Sequence, residues 1–176
     1  MYPVIRLAKE LLVHRNAPPL GLFETHVSHH ICWPQDIDVW REMNNGRTLT
    51  LYDLGRFALF QRTGAIKVMR AERWAGTVAG SSVRYRRRVR MFHRFEMRTR
   101  ILGWDARFLY MEQSMWRNGD CTSNALFRTA VTGQQGLVPM AEAAAALGVD
   151  PVSPPLPDWV AAWTMAEAQR PWPPLT

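Results

Sequence analysis

The stretch from Leu49 to Phe60 constrains this fold more than any other part of the chain. From Gly46 to Gly64 the sequence reads GRTLTLYDLGRFALFQRTG, with no proline inside it and a glycine where a helix C-terminus favours one. The spacing predicts a helix from about Gly46 to Arg62. Its apolar residues, Leu49, Leu51, Tyr52, Leu54, Phe57, Ala58, Leu59 and Phe60, point almost all the way round. A helix that is apolar on most sides must be wrapped by other structure. A curved sheet is the natural wrapping.

The downstream sequence supplies that sheet. Val83, Tyr85, Arg87 and Val89 alternate with Arg84, Arg86, Arg88 and Arg90, and Phe95, Met97, Thr99 and Ile101 alternate with Arg94, Glu96, Arg98 and Arg100. Period two with one wet face is the mark of an antiparallel strand. The run Phe108 to Trp116 is apolar enough to be central. Gly103-Trp104-Asp105 and Asn118-Gly119-Asp120 carry turn chemistry. About four strands are expected between Thr77 and Val131, joined as an antiparallel meander. A further strand is expected before the helix, in Phe23 to Trp33, ended by Pro34. The fold class is therefore α+β: one long central helix wrapped by one curved antiparallel sheet.

Both ends add smaller pieces. Met1 to Arg15 reads as a short amphipathic helix whose apolar positions Val4, Ile5, Leu7, Ala8, Leu11 and Leu12 fall largely on one side. It suits docking on the domain surface, or contact with a membrane interface. Arg6, Lys9 and Glu10 make it too charged for a signal peptide. Pro139 to Leu147 reads as a short helix, with Gly148 after it. From Asp150 onward the chain is rich in proline and tryptophan, with a helix expected from Asp158 to Gln169. This divides the chain into a domain at 1–148 and an extension at 149–176 that packs on the domain or on a partner subunit.

Composition narrows the function. A chain of 176 residues with eight tryptophans can build one sizeable core. No run approaches about 20 apolar residues, so no transmembrane helix is expected. Cys32 and Cys121 stand outside any metal-binding spacing and read as free thiols of a cytoplasmic protein, with no metal site expected. The net charge of +7 rests almost wholly on arginine and favours anionic partners. His29 and His30 lie in one strand and should face opposite ways, one inward and one outward.

The chemistry-bearing residues cluster just before the long helix. Asp36, Asp38 and Glu42 lead into Asn44-Asn45-Gly46. This admits two readings. Carboxylates and asparagine suit the positive end of a helix dipole and its N-cap. Equally, a carboxylate beside exposed backbone N–H groups can activate water or attack a carbonyl while the amides hold the oxyanion. Asp53, one turn from Arg56, either orients water or forms an internal ion pair. The arginines from Arg84 to Arg100 could line a solvated sheet face, hold phosphates, or bind RNA. Against RNA, most aromatics alternate onto the other side, and no recognised RNA-binding motif is present.

Asp36 through Leu49, D-I-D-V-W-R-E-M-N-N-G-R-T-L, resembles the D-x-D-x-x-x-H-x-N-N-x-x-Y-L signature of hotdog-fold acyl-CoA thioesterases of the 4-hydroxybenzoyl-CoA thioesterase-like group. Leu51 to Arg56 resembles that family's acid-bearing helix segment. Within the group the chain resembles the branch containing thioesterase superfamily member 6. The resemblance covers roughly Phe23 to Leu137. It implies a hotdog fold, a homodimer or dimer of dimers paired edge to edge, and hydrolysis of an acyl-CoA to free acid and CoA. No cofactor is implied beyond the CoA of the substrate, and no nucleic acid. Asp38 inherits the role of general base or nucleophile. The backbone at Asn45, Gly46 and Arg47 would face the oxyanion, with Asp53 as helper. Asp36, Glu42, Asn44, Thr48, Arg84, Arg86 and Arg88 are the expected substrate-binding residues. Glu42 and Thr48 stand where the family has histidine and tyrosine, so a non-catalytic acyl-CoA or lipid-binding hotdog protein is the alternative.

Overall fold

A computed structural model of the chain describes residues 2–174. Met1 of the expected first helix, and Leu175 and Thr176 of the expected extension, lie outside the described residues. The elements run α1 (Val4–Val13), β1 (His26–Ile31), α2 (Asn45–Arg62), α3 (Ala65–Ala71), β2 (Ala75–Tyr85), β3 (Arg94–Trp104), β4 (Leu109–Arg117), β5 (Asp120–Gly133), β6 (Gly136–Val138), α4 (Met140–Ala146) and α5 (Asp158–Ala168).

The sheet is antiparallel in the order β1-β3-β4-β5-β2, with β6 added against β5. It curls round α2, as the all-round apolar helix requires. Leu51, Tyr52, Leu54 and Leu59 of α2 form one core with Met97, Met111 and Phe127 of the strands. Helix and sheet approach closely because position 55 is glycine: a Cβ there would lie 2.5 Å from Thr99 Oγ1 and 2.7 Å from Met97 Sδ. This is the hotdog arrangement.

The other face of the sheet is covered too. Tyr110 and Leu126 point outward and pack on Val160 of α5, with Trp163 against them. The proline- and tryptophan-rich arm thus folds back on its own chain. Period-two alternation lets β4 feed both layers: Leu109 and Met111 go to the helix side and Tyr110 to the arm.

Four expectations need correction. The strands after the helix do not form one meander, because β2 pairs with β5 and not with β3. Alternation tells which way side chains face, not which strand lies alongside. Second, the arginine-rich strand stops at Tyr85. Arg86 to His93 forms a loop that carries the chain across the end of the sheet, tied down by Cys32 N donating to His93 O (2.9 Å) and Met43 N to Val89 O (2.7 Å). Third, α1 does not bury its apolar side. Leu7 packs on the core, but Val4, Ile5, Leu12 and Val13 stay exposed while Glu10 is buried. Polar anchors set that orientation: Arg6 donates to Asp36 (2.7 Å), and Glu10 lies 2.9 Å from Lys9 Nζ and 3.5 Å from His14 Nε2. Fourth, α3 and β6 were not foreseen. Gly64 does stop α2 as expected, at φ 81° just after the Thr63 C-cap, and the chain passes directly into α3.

The strand around His29 and His30 behaves as expected, with His29 exposed and His30 buried. Both cysteines are free thiols, and burial pushes the Cys32 thiol up to about 11. Among the described residues no helix is long and apolar enough to cross a membrane.

Candidate functional site

The segment between β1 and α2 is built on Asp36. Its carboxylate is fully buried and accepts from the Trp33 amide (2.9 Å), Arg6 Nη1 (2.7 Å) and Arg47 Nε (2.7 Å). The Asp36 carbonyl accepts from the Asn44 amide at 2.9 Å. Burial alone would raise the Asp36 carboxyl. The Trp33 amide and the Arg47 and Arg6 guanidiniums outweigh it and hold the group below the usual carboxylate range. Asp36 is thus occupied in fixing the loop against the helix start.

Beyond it, Ile37 bridges to Met43, and the chain between them makes a tight turn. Asp38 opens that turn. It is half-buried, and Oδ1 accepts from the Trp40 amide at 2.8 Å. Glu42, which stands at the family's histidine position, is held by Arg88 at 2.9 Å. Asn44 caps α2 by accepting from the Arg47 amide at 3.1 Å. That bond takes up the Arg47 N–H, so the amides available to an oxyanion reduce to those of Asn45 and Gly46 in the exposed first turn. Thr48 is buried, and its hydroxyl donates to the Asn44 carbonyl (3.3 Å).

A cleft of about 240 Å³ opens beside this helix start. It brings together Glu42, Asn45, Thr48, Arg86 and Arg88, with Tyr85 on its wall. Five of the expected residues therefore share one basic, polar recess at a helix N-terminus, a setting that suits an anion. Arg84 does not join them. It lines a separate groove beside Trp159 and Trp163 of the C-terminal arm.

Asp53 faces a different space. It lines a groove of about 550 Å³ between the helices and β2, together with Leu11, Arg56, Phe60 and Trp74. Asp53 is ion-paired with Arg56, as one reading of the sequence expects. Sequence reasoning missed what holds Arg56. Its Nη1 donates to Gln113 Oε1 (2.8 Å), its guanidinium lies 4.1 Å from the centre of the Phe127 ring, and Gln113 donates onward to the Tyr52 carbonyl and to Thr99 Oγ1, both at 2.8 Å. Burial brings the Arg56 pKa down to about 10. A glutamine in the middle of the apolar run Phe108 to Trp116 was the available signal. Through Phe60, Met69, Trp74 and Thr129 the groove adjoins a small cavity of about 80 Å³ that is otherwise walled by apolar side chains, Ile101, Trp104 and Leu109 among them.

This geometry has relatives. The family model of the thioesterase-like superfamily matches residues 32–164. The chain belongs to the thioesterase-like superfamily. Its curated relatives in that superfamily include protein THEM6 of Xenopus laevis, 40% identical over 110 residues, which cover 62% of this chain and 53% of that one. Protein THEM6 of Drosophila melanogaster is 36% identical over 91 residues, covering 51% and 47%. The chain spans about half the length of these relatives. Among solved structures, the probable thioesterase YbaW of Escherichia coli superposes with a TM-score of 0.64 at 17% identity, over 69% of this chain and 95% of that one. A Staphylococcus aureus protein solved in complex with CoA, SAV2348, gives a TM-score of 0.60 at 11% identity, over 80% and 94%. At such identities the likeness establishes the shared hotdog fold.

Proposed function

We propose that the chain is an acyl-CoA thioester hydrolase. The observation that carries this reading is the pairing of two spaces about one helix. The basic cleft at the N-terminus of α2 suits the phosphates of CoA, with Arg86 and Arg88 as ligands. The groove farther along α2, with its adjoining apolar cavity, suits an acyl chain. Gentisyl-CoA thioesterase shares the fold, with a TM-score of 0.61 at 10% identity over 68% of this chain and 99% of that one, which adds support at the level of fold.

In this reading Asp38 takes a proton from water, whose oxygen adds to the thioester carbonyl. Amides at Asn45 and Gly46 meet the oxyanion. The tetrahedral centre then expels the CoA thiolate, the carbon–sulfur bond breaks, and the proton passes to sulfur. Attack by the carboxylate itself, followed by hydrolysis of the anhydride, gives the same products. A homodimer through the outer edge of β2 belongs to the same proposal. This long terminal strand is largely exposed, and such edges are normally covered or paired.

Two observations favour variants of this reading. Asp53 lines the groove, whereas Asp38 is on the wall of neither the cleft, the groove nor the apolar cavity, so the reacting carboxylate could be assigned to Asp53. The Glu42–Arg88 ion pair at the histidine position favours a non-catalytic acyl-CoA binder. Purified protein assayed against acyl-CoAs of graded chain length, with thiol detection and calorimetry in parallel, separates these outcomes. Turnover supports the hydrolase, saturable binding without thiol release supports the binder, and neither result would sink both.

A further inference from the structure

The end of the sheet that carries the helix start also carries a surface that the hydrolase reading does not use. The loop from Arg86 to His93 crosses that end. It is laced to the segment after β1 by Phe92 N donating to Cys32 O (2.6 Å), and to the turn after Ile37 by the Arg88–Glu42 ion pair. These ties place two apolar projections at the same end of the sheet. One is Val39 and Trp40 at the tip of the 38–41 turn, 88% and 75% exposed. The other is Met91 and Phe92, with Trp33 set edge-on to Phe92 at 6.2 Å between ring centres. Phe92 is 57% exposed although its backbone lies in the left-handed region (φ 62°), so burial of the ring is not what keeps it there.

Exposed arginines flank these projections in the sequence. Arg41, Arg87, Arg90 and Arg94, none of them assigned to CoA, are all exposed, and among the described residues none of the four has a carboxylate partner. Aromatic and aliphatic tips interleaved with guanidiniums match the boundary of an anionic bilayer, where the tips enter the acyl region and the arginines meet phosphate. A second copy of the same face would set arginine against arginine. A nucleic acid would stack on aromatic rings, but the most exposed tip residue is a valine, which has no ring face.

We infer that this end of the molecule, led by Val39, Trp40, Met91 and Phe92 with exposed arginines beside them in the chain, docks on anionic membrane surfaces. The docking stands independently of any thioester chemistry.

The test is co-sedimentation of the full chain with mixed phosphatidylglycerol–phosphatidylcholine vesicles and with pure phosphatidylcholine vesicles. Binding is expected to the first, with little to the second, and to weaken as salt is raised. The double variant Val39→Ser with Trp40→Ser alters only an exposed turn. It should lower partitioning about tenfold or more while leaving the circular dichroism and melting temperature unchanged. Arg90→Glu should weaken binding to the anionic vesicles alone. No binding to the anionic vesicles, or equal binding by the double variant, would overturn the inference. So would binding of a single-stranded oligonucleotide that the Val39→Ser, Trp40→Ser double variant abolishes, or a solution mass that falls by half when Val39 and Trp40 are replaced.

Discussion

Arg47 in the first turn of α2 reaches back along its own chain to hold the buried carboxylate of Asp36, Nε to Oδ1 at 2.7 Å. With Arg6 on the other oxygen, the contact fastens α1, the loop and α2 at one point. Asp36→Ala would leave two largely buried guanidiniums facing an empty site. We expect a loss of about 3 kcal/mol, at the low end for a broken buried pair because both arginines keep some solvent. Urea unfolding measures it, and a loss under about 1 kcal/mol would contradict the role. The sign with pH follows. Because the folded pKa of Asp36 lies below its unfolded value, its contribution is complete above about pH 4 and fades as pH falls through the folded pKa.

The two candidate carboxylates separate by mutation. Asp38→Asn keeps an oxygen for the Trp40 amide, so the turn should survive. If Asp38 is the reacting group, kcat falls by about 10²–10⁴ with little change in KM. Asp53→Asn should then retain most of the activity. The reverse ranking would transfer the role to Asp53.

Histidines at the joint between α1 and β1 predict a second pH dependence. Burial, then His14 and Arg62, lowers His26 to about 4; burial, then Arg6 and Lys9, lowers His30 to about 3. Both are neutral in the folded state, whereas in the unfolded chain they take up protons below about pH 6.5. Stability is therefore full above that pH and declines as pH falls toward about 4, by up to about 1.4 kcal/mol per pH unit for each histidine. Urea midpoints at about pH 7 and about pH 5 measure the slope, and His26→Leu should remove one histidine's part of it.

Gly55→Ala tests how closely α2 approaches the sheet. Alanine is the better helix former by about 1 kcal/mol. The added methyl would nevertheless press on Thr99 and Met97, and overpacking of a tight core costs about 1–3 kcal/mol. A net loss of stability is expected on chemical denaturation. A gain would mean that the two side chains move aside freely.

The legible parts of this protein were those encoded by local pattern. The all-round apolar run of α2 demanded a wrapping sheet, and period two marked the strands and their faces. The pairing of β2 with β5 was not legible, because strand order depends on how the loop from Arg86 to His93 crosses the end of the sheet. Nor was the orientation of α1. Its apolar stripe predicted burial of that stripe, but Arg6 and Glu10 found stronger polar partners inward.

The candidate site divides in the same way. By itself the sequence determined the superfamily signature, an asparagine cap and the grouping of acids before the helix, since these rest on spacing along one short segment. Only the tertiary structure decided which cations three of the acids meet. It gave Asp36 to Arg6 and Arg47, Glu42 to Arg88, and Asp53 to Arg56 at the wall of a groove. A carboxylate's role depends on the cation and the solvent that reach it. Arg6, Arg88 and Gln113, which fill or support those roles, come from elements far away in the chain.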